Sequence, residues 1–312
     1  NLMNSTYNPQ KWTKAAAAHK ELIDAAHAAG HQLYKEYNDD GSIDPFMSYY
    51  NMSLKRYSEG NREIIFGRPE NWDLNWWQAH HLQKGIGGNA GMGVTQELVD
   101  AFLMKDGSVP ITGYNEDGSP IINSTSGYVE KGFSTAHDLR KTKWRGGGPA
   151  SLRQGELAPV TQTGVFNMYA NREPRFYVSV IYNEAYITVQ NRKTNFLQYG
   201  GIDTGFTFDA PQNGYNVRKK ISLDVYPTQG IHPYQPGIIY RLAEAYLGYA
   251  EALNESDPGN SDILTYVNLV RERAGIPGLP TGMSQSQMRD AIKHERRIEF
   301  NCEGIRFHDV RR

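Results

Sequence analysis

The sequence predicts a mainly α fold of antiparallel helical hairpins, with a long loop-rich insert that carries a few short strands. Three observations predict it. The last quarter, Arg241 to Arg312, has helical periodicity throughout, with charges recurring on faces that should be buried. Such charges are costly unless paired, so this segment predicts helix packing with internal ion pairs. Residues 9–37 repeat apolar side chains at helical spacing, whereas from Gly67 to Gly237 the regular periods fade.

In chain order, residues 9–37 are expected as one long helix. Pro9 suits its start, and Trp12, Ala16, His19, Ile23, Ala26, Leu33 and Tyr37 recur mostly three, four or seven apart. The alanines at 15–18 favour helix and allow a partner to approach closely. Asn38-Asp39-Asp40-Gly41 has turn chemistry, and Pro45 to Tyr57 reads as a second helix antiparallel to the first. Glu63 to Phe66 reads as a short strand.

In the insert, Trp72, Trp76 and Trp77 are placed in a polar loop with His80 and His81. Thr95 to Phe102 suggests a turn or two of helix, and Asn115-Glu116-Asp117-Gly118 a tight turn. Arg175 to Tyr182, β-branched and aromatic, is the best strand candidate, with Tyr186 to Val189 as its hairpin partner. The remainder is long loops, which in compact proteins are usually functional or linking.

A helix is expected from Ile238 to Asn254 after Pro236. A second follows from Ser261 to Ala274, and a third, capped by Thr281 or Ser284, runs through Cys302. The first two, with small residues at their contact, make a tetratricopeptide-like unit.

Composition narrows the function. The 312 residues carry 33 Lys and Arg against 34 Asp and Glu, for a net charge of -1. That provides no global pull toward nucleic acid or anionic lipid. No apolar run reaches the ~18 residues of a membrane span. The single cysteine, Cys302, excludes an internal disulfide framework and a thiolate zinc cluster, and reads as a small buried residue. With 20 Tyr, 5 Trp and 31 Gly, the composition suits surfaces for neutral polar ligands, bound by stacking and hydrogen bonds rather than charge.

Several blocks together resemble one family. Arg241-Leu242-Ala243-Glu244-Ala245-Tyr246-Leu247 with Tyr249-Ala250-Glu251-Ala252 resembles the C-terminal signature of SusD/RagB proteins. So do Asn268, Arg271, Arg273 to Pro277, and Glu295-Arg296-Arg297-Ile298-Glu299-Phe300 followed by Glu303, Gly304, Arg306, Phe307 and Asp309. Glu63 to Phe66, Thr95 to Asp100 and Arg172 to Phe176 are similar to further family blocks in the same order. The resemblance implies a mainly helical SusD-like fold, with tetratricopeptide-like units carrying a loop-rich ligand face. It implies an outer-membrane, cell-surface lipoprotein that binds glycan, or in some members peptide, above a SusC-type TonB-dependent transporter. The family's lipidated cysteine lies outside this chain, so one domain over 1–312, incomplete at both ends, is expected. Residues 1–66 are its helical hairpin and short strand, 67–237 its ligand face, and 238–312 its C-terminal unit and signature helix.

Each constellation has a functional and a structural reading. Trp72, Trp76 and Trp77 offer indole planes for the C–H face of a sugar, with Asn71, Asp73, Asn75, Gln78 and His80 able to hydrogen-bond its hydroxyls. The structural reading is a loop anchored by its tryptophans. Trp144 and Arg145, before Gly146 to Gly148, form a second ligand candidate or a packed-down loop. Glu295 and Glu299 have the helical spacing of a carboxylate pair such as a glycosidase uses. Neighbouring Arg296 and Arg297 and, if the helices pack, Arg271 or Arg273 instead suggest ion pairing, which lowers a carboxylate pKa and unsuits it as a general acid. Glu244 and Glu251 are read the same way. His80-His81 and His308-Asp309 lack a third ligand at metal spacing. Glu36 to Asp44 has calcium-loop offsets, but Met47 stands where the closing glutamate would be, so it reads as a turn. No P-loop, nucleophile elbow or dinucleotide fingerprint occurs, and no cofactor is expected. Glycan capture and delivery is the function that the resemblance implies. A peptide-binding tetratricopeptide scaffold and a glycoside hydrolase are the alternatives.

Overall fold

The computed structural model describes residues 8–68, 73–204 and 209–311. Its helices are α1 (Gln10–Ala28), α2 (Pro45–Met52), α3 (Asp73–His81), α4 (Gln96–Ala101), α5 (Pro174–Ser179), α6 (Leu242–Ser256), α7 (Ser261–Arg273), α8 (Gln285–Glu299) and α9 (Arg306–Asp309). Two units divide the chain. One comprises the described parts of Asn1–Tyr34, Arg56–Arg68 and Ile238–Arg312, the other those of Lys35–Lys55 and Pro69–Gly237.

In the first unit α1 packs along α6, and α6 also contacts α7 and α8. Ile23, Leu242, Leu247, Val267, Val270 and Ile292 are fully buried in one core. Close approach depends on small residues, since a Cβ on Gly248 would sit 2.6 Å from the His19 ring. α1 stops at Ala28 instead of running on to Tyr37. Gly30, at φ +83, turns the chain, with its N–H donating to the His27 carbonyl and that of His31 to the Ala26 carbonyl. Leu33 still reaches the core, from non-helical chain, which is why it kept the apolar pattern going.

α6 begins at Leu242, four residues later than expected, because Gly237–Arg241 is a strand paired with Ile64–Arg68. A capping box starts α8. The Ser284 hydroxyl accepts from the Gln287 N–H at 3.2 Å, and the Gln287 side chain accepts from the Ser284 N–H at 2.9 Å. α8 ends at Glu299, so Cys302 lies beyond it, half-buried and at φ +57.

In the second unit α2 packs against α5. The Asp44 carboxylate caps α2, accepting from the Phe46 and Met47 N–H groups at 3.1 Å, and α2 stops at Met52 rather than Tyr57. α5 replaces most of the expected strand at 175–182. All six of its residues are buried, and an apolar run buried on every side carries no period to separate helix from strand. Pro174 at the first helical position supplies the helical φ. Val180–Ile181 pairs with Asn216–Val217, and Tyr186–Ile187 pairs with Arg192–Lys193, in place of the hairpin expected between the two runs. Thr95 caps α4, and the turn at 115–118 joins Ile111–Tyr114 to Pro120–Ile122. Asp138–Lys141 pairs with Leu157–Thr161.

Candidate functional site

The tryptophan segment is a helix, not a loop. Along α3, Trp76 meets His80 and Trp77 meets His81, each one turn apart. Trp77 is half-buried, its ring 3.9 Å from that of His81 between centroids. The His81 Nδ1 lies 2.6 Å from the Trp77 carbonyl oxygen and donates to it, which leaves Nε2 as the unprotonated, acceptor nitrogen. That Nε2 is buried without a partner among the described residues, and burial pushes the imidazole pKa down to about 4. Trp76 points the other way. It is 58% exposed, with exposed His80 tilted beside it at 6.3 Å. Trp72 and Asn71 lie outside the described residues, and of Asp73 and Asn75 only the helical backbone is described.

Gln78 corrects one expectation. It is fully buried, its Nε2 donating to the Pro233 carbonyl at 2.7 Å and its Oε1 accepting from the Ser222 N–H at 3.0 Å. Both ends of its amide are spent tying α3 to the 222–233 loop, so it is a strut rather than a ligand contact. Trp144 corrects another. It is 1% exposed, stacked on Phe46 at 5.5 Å, with the Arg218 guanidinium 4.9 Å from its ring. Gly146 packs so tightly that a Cβ there would meet the indole at 2.4 Å. No indole face is left for a sugar.

Arg145, next along the chain, is exposed and pairs with Asp224 at 2.8 Å. It lines a cleft of about 540 Å³ with Lys143, Gly148, Ala150, Arg153, Tyr186, Thr188 and Asn191. Asp44 fixes the chain that leads into the cleft, its carboxylate also accepting from the Thr142 hydroxyl and the Lys143 N–H at 2.7 Å each. Arg153, itself a lining residue, braces the same stretch, donating to the carbonyls of Thr142, Lys143 and Trp144 at 3.3, 3.2 and 2.9 Å. Sequence reasoning found Arg145 but missed the rest. Lys143 was visible in the alternation Lys141, Lys143, Arg145, whereas Arg153, Tyr186 and Thr188 come near it only through folding.

The carboxylates of the C-terminal helices are ion-paired. Arg271 meets Glu295 at 2.9 Å, Arg273 pairs with Glu299, and Arg296 reaches Asp309 at 3.0 Å and Glu251 at 3.6 Å. Glu244 differs. It is half-buried without an ion pair among the described residues, and burial raises its pKa despite the fields of Arg296 and Arg241. Among the described residues no group of three or more His, Cys, Asp or Glu side chains is placed to hold a metal, and no helix is long and apolar enough to cross a membrane.

Comparison with known proteins agrees with this architecture. A SusD-like protein of Bacteroides fragilis is 27% identical, with a TM-score of 0.62 over 94% of this chain and 51% of its own. A SusD-like carbohydrate binding protein of the same species is 20% identical, with a TM-score of 0.63 over 96% of this chain and 48% of its own. SusD-like protein P2 of Formosa agariphila is 39% identical over 79 residues, 23% of this chain and 16% of that protein. The chain thus spans about half the length of these solved structures, and less of the curated relative. The SusD family model matches residues 28–312. Helical packing around α6, arginine-paired carboxylates in the last helices and this match over most of the chain lead to one conclusion: the chain belongs to the SusD family.

Proposed function

We propose that the protein binds oligosaccharide at the cell surface, anchored by lipid at the outer membrane, and passes it to a SusC-type TonB-dependent transporter without catalysing a reaction. The observation that carries this reading is Trp76, a largely exposed indole on a helix whose other tryptophan faces inward. Such a plane stacks on the C–H face of a sugar, and neighbouring His80 supplies a hydrogen-bonding group. Membership of a family that includes a carbohydrate binding protein supports it. The helices α1, α6, α7 and α8 are read as the tetratricopeptide-like part of the protein. Against hydrolysis, Glu295 and Glu299 are each spent in a buried ion pair with an arginine instead of facing one another across a cleft as a free carboxylate pair. Isothermal titration of Trp76→Ala and Trp77→Ala against a panel of oligosaccharides tests the platform. Loss of affinity in Trp76→Ala is expected, and unchanged affinity rejects it.

A further inference from the structure

The composition predicts a site for neutral ligands, but the second unit gathers cations around one cleft. Lys143 and Arg145 stand at its rim, with Arg153 in its wall. Their compensation is weak. Lys143 pairs with Asp39 at 2.8 Å and Arg145 with Asp224 at 2.8 Å, all four side chains more than half exposed. Such pairs contribute little and exchange readily for another anion. Arg153 meets only backbone carbonyls among the described residues.

A fourth cation lies behind the cleft. Arg218 is buried, and its polar partners are the carbonyls of Gly146, Tyr186 and Tyr177, at 3.0, 3.3 and 3.4 Å. No carboxylate pairs with it among the described residues, and burial lowers its pKa to about 10, still leaving it charged at neutral pH. It lines a small cavity with Tyr186 and Thr188, which also line the cleft. In the low dielectric of the interior its field is poorly screened, and it adds positive potential at the cleft against that of the buried Asp44 carboxylate, which accepts from the Lys143 N–H. The Thr188 hydroxyl, buried and without a partner among the described residues, is a hydrogen-bonding group at that shared wall.

We infer that this cleft takes an acidic saccharide unit, its carboxylate or sulfate group held between Lys143, Arg145 and Arg153. A guanidinium grips such an oxyanion in a planar, two-pronged way. The inference rests on the proposed glycan-binding function and names its substrate class.

The test is calorimetric titration of the intact protein with two matched pairs of probes. One is oligogalacturonate and its methyl ester, the other a dextran oligosaccharide and its sulfated form. Within at least one pair the charged member binds more tightly, and its affinity falls with added salt. Lys143→Gln and Arg145→Gln each weaken that binding about tenfold, the scale of one charge-assisted hydrogen bond. Both side chains are exposed, so melting temperatures stay at the wild-type value. Binding by oligogalacturonate alone identifies a carboxylate ligand, and by sulfated dextran alone a sulfate ligand. If neutral probes bind equally well and respond to Trp76→Ala, the acidic-ligand inference falls and the glycan reading stands. If charged probes bind but neither cleft variant weakens them, the cleft is not the site. If no probe binds, both readings fall.

Discussion

Arg241 and Glu299 meet at 2.8 Å with side chains 1% and 0% exposed. The same guanidinium reaches Glu63 at 2.7 Å and Glu303 at 2.8 Å, while Arg273 bridges Glu63 and Glu299. Burial works against the charge on Arg241, but the carboxylates of Glu303, Glu299 and Glu63 outweigh it and raise its pKa. The network joins the chain before the Ile64–Arg68 strand, the end of the Gly237–Arg241 strand, and helices α7 and α8 within one unit.

Removing one member strands buried charge. Arg273→Met should lower stability by about 3–5 kcal/mol. Lys20→Gln, which breaks the exposed pair with Asp24, should leave the denaturant midpoint unchanged. Chemical unfolding of both variants checks this, and equal midpoints would rule out a structural role for the network.

The two informative tryptophans should separate stability from binding. Trp144→Ala opens a cavity beside Phe46 and should cost about 3–5 kcal/mol. Trp76→Ala should change stability by less than about 0.5 kcal/mol while abolishing the stacking contribution to oligosaccharide affinity. Thermal melts and titrations on the same preparations measure both.

His81 should make the protein acid-sensitive. Its folded pKa, about 4, lies below the ordinary 6.5, so the folded state favours the neutral ring. As pH falls the unfolded chain takes up the proton first. Stability is therefore full above about pH 6.5, declines toward about pH 4 and levels off below it. The loss is up to about 3 kcal/mol. Subtracting the stability–pH profile of His81→Gln from that of the wild type should isolate this step, and a flat difference would refute it.

Backbone contact at the cationic loop should tolerate no side chain. A Cβ on Gly147 would lie 2.1 Å from the Pro159 carbonyl oxygen, which is backbone and cannot swing away. Gly147→Ala should cost at least about 1–3 kcal/mol. Gly91→Ala, where the nearest atom is 3.4 Å away, should be far milder. Paired unfolding curves compare them.

Legibility in the sequence followed periodicity. Helices α7 and α8 were readable because one face is apolar and the other charged, and because Ser284 and Gln287 form a capping box. α5 was not, because it is buried all round. α3 was not, because polar residues on both faces leave it little apolar contrast, so its tryptophans looked like loop anchors. The end of α1 was misplaced because Leu33 keeps the apolar spacing after Gly30 has turned the chain.

By itself the sequence determined the family, the mainly helical class and the expectation that carboxylates of the last helices are paired with arginines, since helical spacing and the need to neutralise buried carboxylates are local or compositional constraints. Only the tertiary structure decided which indole faces solvent, that Trp144 and Gln78 are spent on packing, and that Lys143, Arg145 and Arg153 share a cleft with Tyr186 and Thr188. Those outcomes depend on which loops come to lie against one another, and in a segment without period nothing local encodes that contact.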